Sequence, residues 1–356
     1  MFCVVIGGGV NQLFLVDALL TLGFRIVLID KDAECPCREK SFYFINGSTH
    51  NEAGWIDELI TFDGKNKLAE IFTASSGPPI RVAARVARRF GIRLFPESAA
   101  MIATSKIAFR GEFSGGKEVF NDNWWPKMLR ADYSILGKNS CRVAYNSLDL
   151  AEKKRELQRI SISKNILIER YVEGIDLIVI GMVSDTKLQI LGHLVEVNEV
   201  NARGCIVGLG LYTTNLLTSS LKNELEKLLR FFVTNYEIIN APITLSVRVA
   251  ESGILPIEVH LDFGGESVFD WLVKAYYAEG LVSVLRALLG SKKINTSDQP
   301  ESCHAVIYQH EGTMLPSLGE YCLGIAETSL KGKSLACLGD EKNVAKFFDR
   351  YRQCIF

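Results

Sequence analysis

Acidic and imidazole side chains alternate along one otherwise apolar segment in the last third of the chain. Glu258, His260 and Asp262 are separated by single apolar residues. Because side chains of a β-strand repeat every second residue, the three face the same side. Burying such a row costs free energy unless the side chains bind something. Carboxylates on a strand are suited to a divalent cation, so Glu258 and Asp262 are candidate metal ligands.

The segment belongs to a predicted β-hairpin. Two alternating runs within residues 241–266 flank a turn signal at 251–253. The neighbouring strand carries three polar side chains on the same face: Thr244, Ser246 and Arg248. An alternative interpretation remains open, in which this is the solvated face of a half-buried sheet and Arg248 forms an ordinary cross-strand ion pair.

The size and charge of the chain restrict its class. Its 356 residues predict two or three domains with a large core. Apolar residues make up 48% of the sequence and charged residues 23%, as in a folded globular protein. The net charge of −1 gives no indication of a nucleic-acid-binding or membrane-binding surface, so we expect neither partner.

Targeting signals and cysteine usage favour a cytoplasmic protein. The apolar run 1–6 reaches glycine too early for a signal peptide, and no run approaches the length of a membrane span. The nine cysteines are scattered, and only Cys35 and Cys37 lie close together. A single C-x-C pair is weak evidence for zinc, so we predict reduced thiols.

The amino-terminal region predicts a βαβ unit with a parallel sheet. A strand at 2–6 is followed by a glycine turn, a helix over 13–22, a second strand at 25–29 and then Asp30. A dinucleotide-binding fingerprint would require a third glycine where Gln12 stands. A nicotinamide- or flavin-dependent oxidoreductase is therefore the disfavoured alternative for this region.

Glycine-rich turns at a helix start present backbone N–H groups to anions. We therefore expect a substrate carboxylate or phosphate near the first turn, with a second glycine loop before the helix at 80–90. The substrate-binding residues predicted on this basis are Gly8, Gly9, Asn11 and Gly77.

Four segments follow one another in a fixed order: 104–110, 126–138, 166–176 and the hairpin. This series resembles the ATP-grasp superfamily, in the branch of carbamoyl-phosphate synthase and biotin carboxylase, and residues 1–95 are similar to its preATP-grasp domain. The resemblance covers residues 1–290. It implies an α/β fold with a parallel βαβ domain (1–95), a two-lobed α+β ATP-grasp domain (96–295, flap-bearing lobe 120–175) and a small carboxyl-terminal lobe (296–356).

The resemblance also implies which residues bind ATP. Lys106 and Arg130 match the basic positions that hold phosphates and reach the adenine pocket, and Lys138 lies in the flap loop, to which Ser134 and Ser140 add hydroxyls. The adenine side is implied to consist of Glu169, Arg170, Tyr171 and Val172, with Asp176 at the ribose. Cations against phosphates and an acid against hydroxyls are what a bound nucleotide requires.

The hairpin departs from the pattern of the family. Ser246 stands where an acid is usual, His260 where asparagine is usual and Asp262 where arginine is usual. Along a straight strand Glu258 and Asp262 would be about 13–14 Å apart, so they share one ion only if the chain bends. With that arginine missing, Arg248 or Arg203 is expected to contact the carboxyl substrate.

The resemblance implies an ATP-dependent carboxylate–amine ligase that forms an amide through an acyl phosphate, with ATP and Mg²⁺. The substrates would be a small-molecule carboxylate and an amine, one of them resembling an amino acid, and a homodimer is expected. The altered hairpin leaves an alternative open: a catalytically degenerate ATP-grasp protein that binds nucleotide or regulates a partner.

Overall fold

The structure is a computed structural model that describes residues 1–114, 124–133, 137–264, 268–277, 279–290, 302–310, 313–325 and 334–355. Within these residues the strands form three sheets, of four, three and eight strands. No helix in these ranges is both long enough and apolar enough to cross a lipid bilayer.

The four-stranded sheet confirms the predicted parallel βαβ unit. Its strands are β1 (Phe2–Ile6), β2 (Arg25–Asp30), β3 (Tyr43–Asn46) and β4 (Leu68–Phe72), in the order β3-β2-β1-β4 and all parallel. The helices of this region are α1 (Leu13–Thr21), α2 (Ile56–Asn66) and α3 (Pro78–Phe90). Strands β1 and β2 are buried almost throughout, as expected when helices cover both faces of a parallel sheet.

Two short helices follow α3 and divide the stretch 98–110 between them. They are α4 (Glu97–Thr104) and α5 (Lys106–Ser114), separated by Ser105 in an extended conformation. The Ser105 hydroxyl accepts a hydrogen bond from the Ala108 N–H at 3.1 Å and so caps α5. The break makes Lys106 the first residue of a new helix.

The three-stranded sheet is antiparallel. It consists of β5 (Lys127–Ala131), β6 (Cys141–Ala144) and β7 (Ile166–Arg170), in the order β6-β5-β7. Helix α6 (Ser147–Ile160) covers one face through a small core of Leu129, Ala144 and Leu157. A 3-10 turn at Gly137–Ser140 precedes β6.

The eight-stranded sheet is antiparallel and has the order β12-β11-β8-β9-β10-β13-β15-β14. Its strands are β8 (Ile175–Ser184), β9 (Lys187–Val200), β10 (Ile206–Thr213), β11 (Ala241–Ala250), β12 (Gly253–His260), β13 (Cys303–Tyr308), β14 (Gly324–Ile325) and β15 (Ser334–Gly339). Its helices are α7 (Ser219–Asn235), α8 (Val268–Val273), α9 (Leu281–Leu288) and α10 (Glu341–Ile355). Strands β13 to β15 show that the carboxyl-terminal segment extends this sheet.

The predicted hairpin is formed by β11 and β12. Ser246 pairs with Glu258 and Thr244 with His260, as the alternation predicted. A bulge after Ser246 shifts the register, so Arg248 lies opposite Leu255. Strand β12 ends at His260, and Asp262 lies beyond it.

Candidate active site

A cleft of about 740 Å³ lies between the three-stranded and eight-stranded sheets. One wall comes from β5, β6, β7 and the turn at Gly137–Ser140, and the other comes from β8 to β12, with Lys106 at one end. A cleft between two layers with several polar side chains that converge on it is a common form of small-molecule site. Most of the residues predicted to bind ATP line it: Lys106, Arg130, Lys138, Glu169, Arg170, Val172 and Asp176.

Lys106 and Glu258 form an ion pair at one end of the cleft. The Lys106 Nζ lies 3.3 Å from Glu258 Oε2, and His260 Nε2 lies 3.4 Å from Glu258 Oε1. Burial alone would raise the pKa of Glu258, but Lys106, His260 and Arg130 together hold that pKa well below its usual range. Glu258 is therefore an ionised carboxylate facing the cleft.

Arg130 connects the two walls of the cleft. Its guanidinium forms an ion pair with Glu169 on β7 and donates a hydrogen bond to the Ile257 carbonyl on β12 at 3.0 Å. Arg110 on α5 also contacts Glu169, with Nε 2.8 Å from Oε2. Burial would lower the pKa of Arg130, yet the charge of Glu169 raises it, so the guanidinium stays charged.

Asp176 and Arg248 form a bidentate pair because they lie opposite each other in the register of β8 and β11. Arg248 Nε donates to Asp176 Oδ1 at 2.7 Å and Nη2 donates to Oδ2 at 2.8 Å. Arg248 Nη1 donates to the Val172 carbonyl at 2.8 Å. All three nitrogens are thus engaged at the 171–176 linker. These contacts do not support the expectation that Arg248 contacts the carboxyl substrate, which stays a prediction.

Lys138 reaches the opposite wall of the cleft. Its Nζ lies 2.5 Å from Glu196 Oε1 on β9. The side chain crosses Gly208 on β10, where an added Cβ would lie 3.1 Å from Lys138 Cε. Asn198 Nδ2 donates to both Glu196 Oε2 and Asp176 Oδ2, at 3.1 and 2.9 Å, and so links two of the carboxylates.

The remaining predicted nucleotide ligands differ in their placement. Arg170 is exposed, and its guanidinium lies over the Trp124 ring at 5.5 Å. The Tyr171 N–H donates to the Pro126 carbonyl, which fixes the linker against β5. Arg203 is exposed in the turn between β9 and β10 and is not among the cleft-lining residues. Ser134 lies outside the described residues.

Asp262 is turned away from the cleft. It is 1% exposed, and it accepts hydrogen bonds from Ser76 Oγ at 3.2 Å and from the Gly264 N–H at 2.7 Å. Because β12 ends at His260, the chain bends and Asp262 joins the four-stranded domain to the large sheet. His260 stands between the two carboxylates, with Nε2 3.4 Å from Glu258 Oε1 and Nδ1 3.9 Å from Asp262 Oδ2. These contacts do not support one metal ion shared by Asp262 and Glu258, which stays a prediction.

The donor set near Glu258 suits a magnesium ion that arrives with phosphate groups. Glu258 is the cleft carboxylate of the hairpin, and the Ser246 hydroxyl group lies on the paired strand. No group of three or more His, Cys, Asp and Glu side chains in the described part of the chain could hold a metal alone. Magnesium is commonly bound by one or two carboxylates together with phosphates and water.

A second pocket, which we call the side pocket, adjoins the cleft at Lys106 and Glu258. Its volume is about 360 Å³, and it is lined by Ser76, Gly77, residues 102–106, Phe109, Glu258 and His260. It therefore lies between the four-stranded domain, the α4–α5 break and the end of β12. Of the residues predicted to bind substrate, the structure brings Gly77 to this pocket.

The glycine turn after β1 already holds an anion from the chain itself. The Gly8 N–H donates to Asp30 Oδ2 at 2.6 Å, and the Asp32 N–H donates to Asp30 Oδ1. Asp30 thus takes the place in which a ligand carboxylate or phosphate was expected at Gly8. Gly9 and Asn11 are exposed and lie outside both pockets.

Three residues of the site were missed in the sequence: Arg110, Glu196 and Asn198. Arg110 follows Lys106 by four residues, the spacing that places two side chains on one helix face. Glu196 and Asn198 alternate along β9 in the same way as Glu258 and His260 along β12. These two spacings could have identified the three residues from the sequence.

The sequence matches no known family profile and no curated protein. Solved structures are similar over nearly the whole chain. An L-amino acid ligase from Bacillus licheniformis has a TM-score of 0.75 at 12% identity, over 99% of this chain and 97% of the ligase. N5-carboxyaminoimidazole ribonucleotide synthetase from Thermus thermophilus has a TM-score of 0.70 at 14% identity, covering 99% of this chain and 98% of the synthetase.

A third similar structure was solved with nucleotide. The biotin carboxylase domain dimer of the Hydrogenobacter thermophilus 2-oxoglutarate carboxylase, in complex with MgADP, ADP and bicarbonate, has a TM-score of 0.66 at 13% identity. The alignment covers 95% of this chain and 85% of that domain. At these identities the likeness establishes a shared fold and nothing further.

Proposed function

Because this chain has the ATP-grasp fold, we propose that it is an ATP-dependent carboxylate–amine ligase. The enzyme would join a small carboxylic acid to an amine, giving an amide, ADP and phosphate. The observation that carries the proposal is the Lys106–Glu258 pair, which stands where the 740 Å³ cleft meets the side pocket. A phosphoryl group transferred between two bound substrates needs such a junction.

The cleft is matched to a nucleotide. Lys106 and Lys138 are each paired with a carboxylate across the cleft, and both are flexible side chains able to turn to phosphate oxygens. Asp176 keeps unused lone pairs after binding Arg248 and Asn198, so it can accept from ribose hydroxyls. Val172 and Arg170 line the end of the cleft proposed for adenine.

Glu258 would hold Mg²⁺ through its ionised carboxylate, and the bound ion would neutralise charge on the phosphates. With Glu258 as its ligand, the ion would leave Lys106 available to the transferring phosphoryl group. Arg130 is fixed by Glu169 and Ile257, so it presents a positive charge without moving.

The reaction would take place in two steps. A substrate carboxylate oxygen attacks the terminal phosphorus of ATP, and ADP leaves as the acyl phosphate forms. The amine nitrogen then attacks the acyl carbon, phosphate leaves with the C–O electron pair, and the nitrogen loses a proton. The role of the protein is chiefly to position the reactants and stabilise charge, as in other phosphoryl transfers.

The similar structures and the cysteines bear on the substrates, the compartment and the oligomeric state of the proposed enzyme. The neighbours include an L-amino acid ligase and a ribonucleotide synthetase, which places amino acids and related small molecules among the substrates to test. All nine cysteines are free, which fits a reducing cytoplasm. One neighbour forms a domain dimer, so a homodimer is included in the proposal and is tested by light scattering of the purified chain.

The test is a coupled assay of ADP and amide formation with pools of carboxylates and amines. We expect ADP and amide in equal amounts, and only when both substrates are present. Lys106→Met should abolish turnover, whereas Lys67→Met, at an exposed lysine outside both pockets, should not change it. Tight ATP binding without turnover for any pair would instead support a nucleotide-binding or regulatory protein.

A further inference from the structure

We infer that the side pocket holds the carboxylate substrate and selects a short, apolar molecule that has a single anionic group. This inference rests on the proposed ligase function, since it names the substrate class of that reaction. It depends on the position of the pocket, the nature of its walls and the charges around it.

The position of the side pocket determines which end of the nucleotide it meets. It shares Lys106 and Glu258 with the cleft, whereas the linker residues Val172 and Asp176 line the cleft but not the side pocket. A ligand in the side pocket therefore lies beside the groups proposed for the terminal phosphate and the metal. A carboxylate there is within reach of the phosphoryl group.

The walls of the side pocket limit the size of the ligand. Ile102, Ala103 and Phe109 supply apolar surface from α4 and α5. Phe109 is 1% exposed and packs against Phe113 and Phe232. This wall is therefore part of the hydrophobic core, and its close packing makes it rigid. The space that these walls enclose is small, which favours a ligand body of a few carbon atoms.

The charges around the side pocket limit the ligand to one anionic group. Among the described residues that line it, the basic ones are Lys106 and His260. Lys106 is proposed to serve the phosphoryl group, which leaves His260 for the ligand; its Nε2 lies 3.4 Å from Glu258 Oε1 and its Nδ1 lies 3.9 Å from Asp262 Oδ2. Arg81 lies behind the wall, where its Nε donates to Thr104 Oγ1 at 2.6 Å and its guanidinium stacks on Tyr133. A second carboxylate or a phosphate would be buried without its own cation, which is costly.

The experiment measures binding separately from catalysis. Calorimetric titrations with L-alanine, L-valine, L-phenylalanine, L-glutamate and O-phospho-L-serine are run on the full chain with ADP and Mg²⁺ present. We expect L-alanine and L-valine to bind on the order of 10-fold more tightly than L-glutamate and O-phospho-L-serine, which carry a second anionic group, corresponding to about 1.4 kcal/mol. Ala103→Phe should abolish their binding and leave the affinity for ADP unchanged, because Ala103 does not line the cleft.

A reciprocal variant separates pocket size from folding defects. Ile102→Ala should enlarge the side pocket and raise the relative affinity for L-phenylalanine, by about 10-fold for the volume of several methylene groups. Met101→Phe is the matched control, since Met101 lies on α4 with 53% exposure and does not line the side pocket. It should bind all probes as the unaltered chain does.

Two sets of results keep the inference distinct from the proposed function. The inference is overturned if L-glutamate or O-phospho-L-serine binds as tightly as L-alanine, if Ala103→Phe leaves binding intact, or if no probe binds. The ligase proposal is tested by amide formation with the same panel. Selective binding without any amide formation would contradict the ligase reaction and still support a pocket for short monocarboxylates.

Discussion

Lys106 and Glu258 face each other at 3.3 Å, one from the first residue of α5 and the other from the end of β12. The two elements belong to different layers, so the contact exists only in the folded chain. Ser105 sets the position of the lysine by ending α4 and capping α5. The alternation of β12 turns the carboxylate of Glu258 toward the cleft.

Glu258→Gln should weaken the binding of MgADP and leave the binding of metal-free ADP nearly unchanged. Loss of a charged ligand is expected to raise the Kd for MgADP by about 10-fold or more. Asp262→Asn on the same segment is the matched variant, because Asp262 bonds to Ser76 and Gly264 instead. It should lower the free energy of unfolding by about 1–3 kcal/mol and keep the magnesium dependence. Equal loss of magnesium dependence in both variants would restore Asp262 as a ligand.

Asp176→Asn should remove the discrimination between ribose and a sugar without hydroxyl groups. We expect the unaltered chain to bind ADP about 10-fold more tightly than 2′,3′-dideoxy-ADP, the effect of a charge-assisted hydrogen bond. In the variant the two affinities should become nearly equal. Glu173→Gln, at an exposed acid in the same linker, serves as the control and should keep the difference. If the Asp176 variant still bound ADP more tightly than 2′,3′-dideoxy-ADP by the same factor, Asp176 would not be a ribose ligand.

Arg130→Met should destabilise the fold as well as weaken nucleotide binding. The variant loses the hydrogen bond to Ile257 and one of the two guanidinium partners of Glu169. Breaking a buried ion pair in this way costs about 3–5 kcal/mol. The double variant Arg130→Met with Glu169→Leu should regain part of that stability in urea denaturation, yet still bind ADP poorly. A double variant less stable than the sum of the single changes would argue against this coupling.

The elements of the fold could be predicted where local patterns act alone. The hairpin, the capped α7 and the Gly91 end of α3 follow from alternation, a threonine cap and a left-handed glycine with φ of 64°. The division of 98–110 into α4 and α5 was not predicted. It depends on Ser105 donating to Asp132 Oδ1 at 2.6 Å, a contact across 27 residues.

The partners of the site residues were harder to predict than the residues themselves. Lys106, Arg130 and Asp176 were named from the sequence, but Arg248 was assigned to the substrate because its register against Asp176 was unknown. The hydrogen bond from the Gly8 N–H to the Asp30 carboxylate was not predicted either, because the two residues come together only when β1 and β2 pair. Side-chain partners depend on tertiary packing, which periodicity does not reveal.

Glu70 on β4 should make stability depend on pH. Burial raises the pKa of Glu70 to about 7, above its unfolded value, so the folded state binds this proton more tightly. Its contribution is present below pH 4.5 and is lost as pH rises toward about 7, a change of at most about 3 kcal/mol. Urea denaturation at about pH 5 and about pH 8 should show Glu70→Gln gaining stability over the unaltered chain only at the higher pH. The exposed Glu34→Gln should show no such gain, and a pH-independent difference for Glu70→Gln would contradict the assignment.

The central claim is that ATP lies between the three-stranded and eight-stranded sheets, with its terminal phosphate at Lys106 and Glu258. The most direct measurement is a crystal structure of the chain with a nonhydrolysable ATP analogue and Mg²⁺. We predict the triphosphate in the 740 Å³ cleft, Lys106 Nζ within hydrogen-bonding distance of a phosphate oxygen, and the metal bound to Glu258. An empty cleft, or an analogue bound elsewhere with the Lys106–Glu258 pair unchanged, would contradict the account.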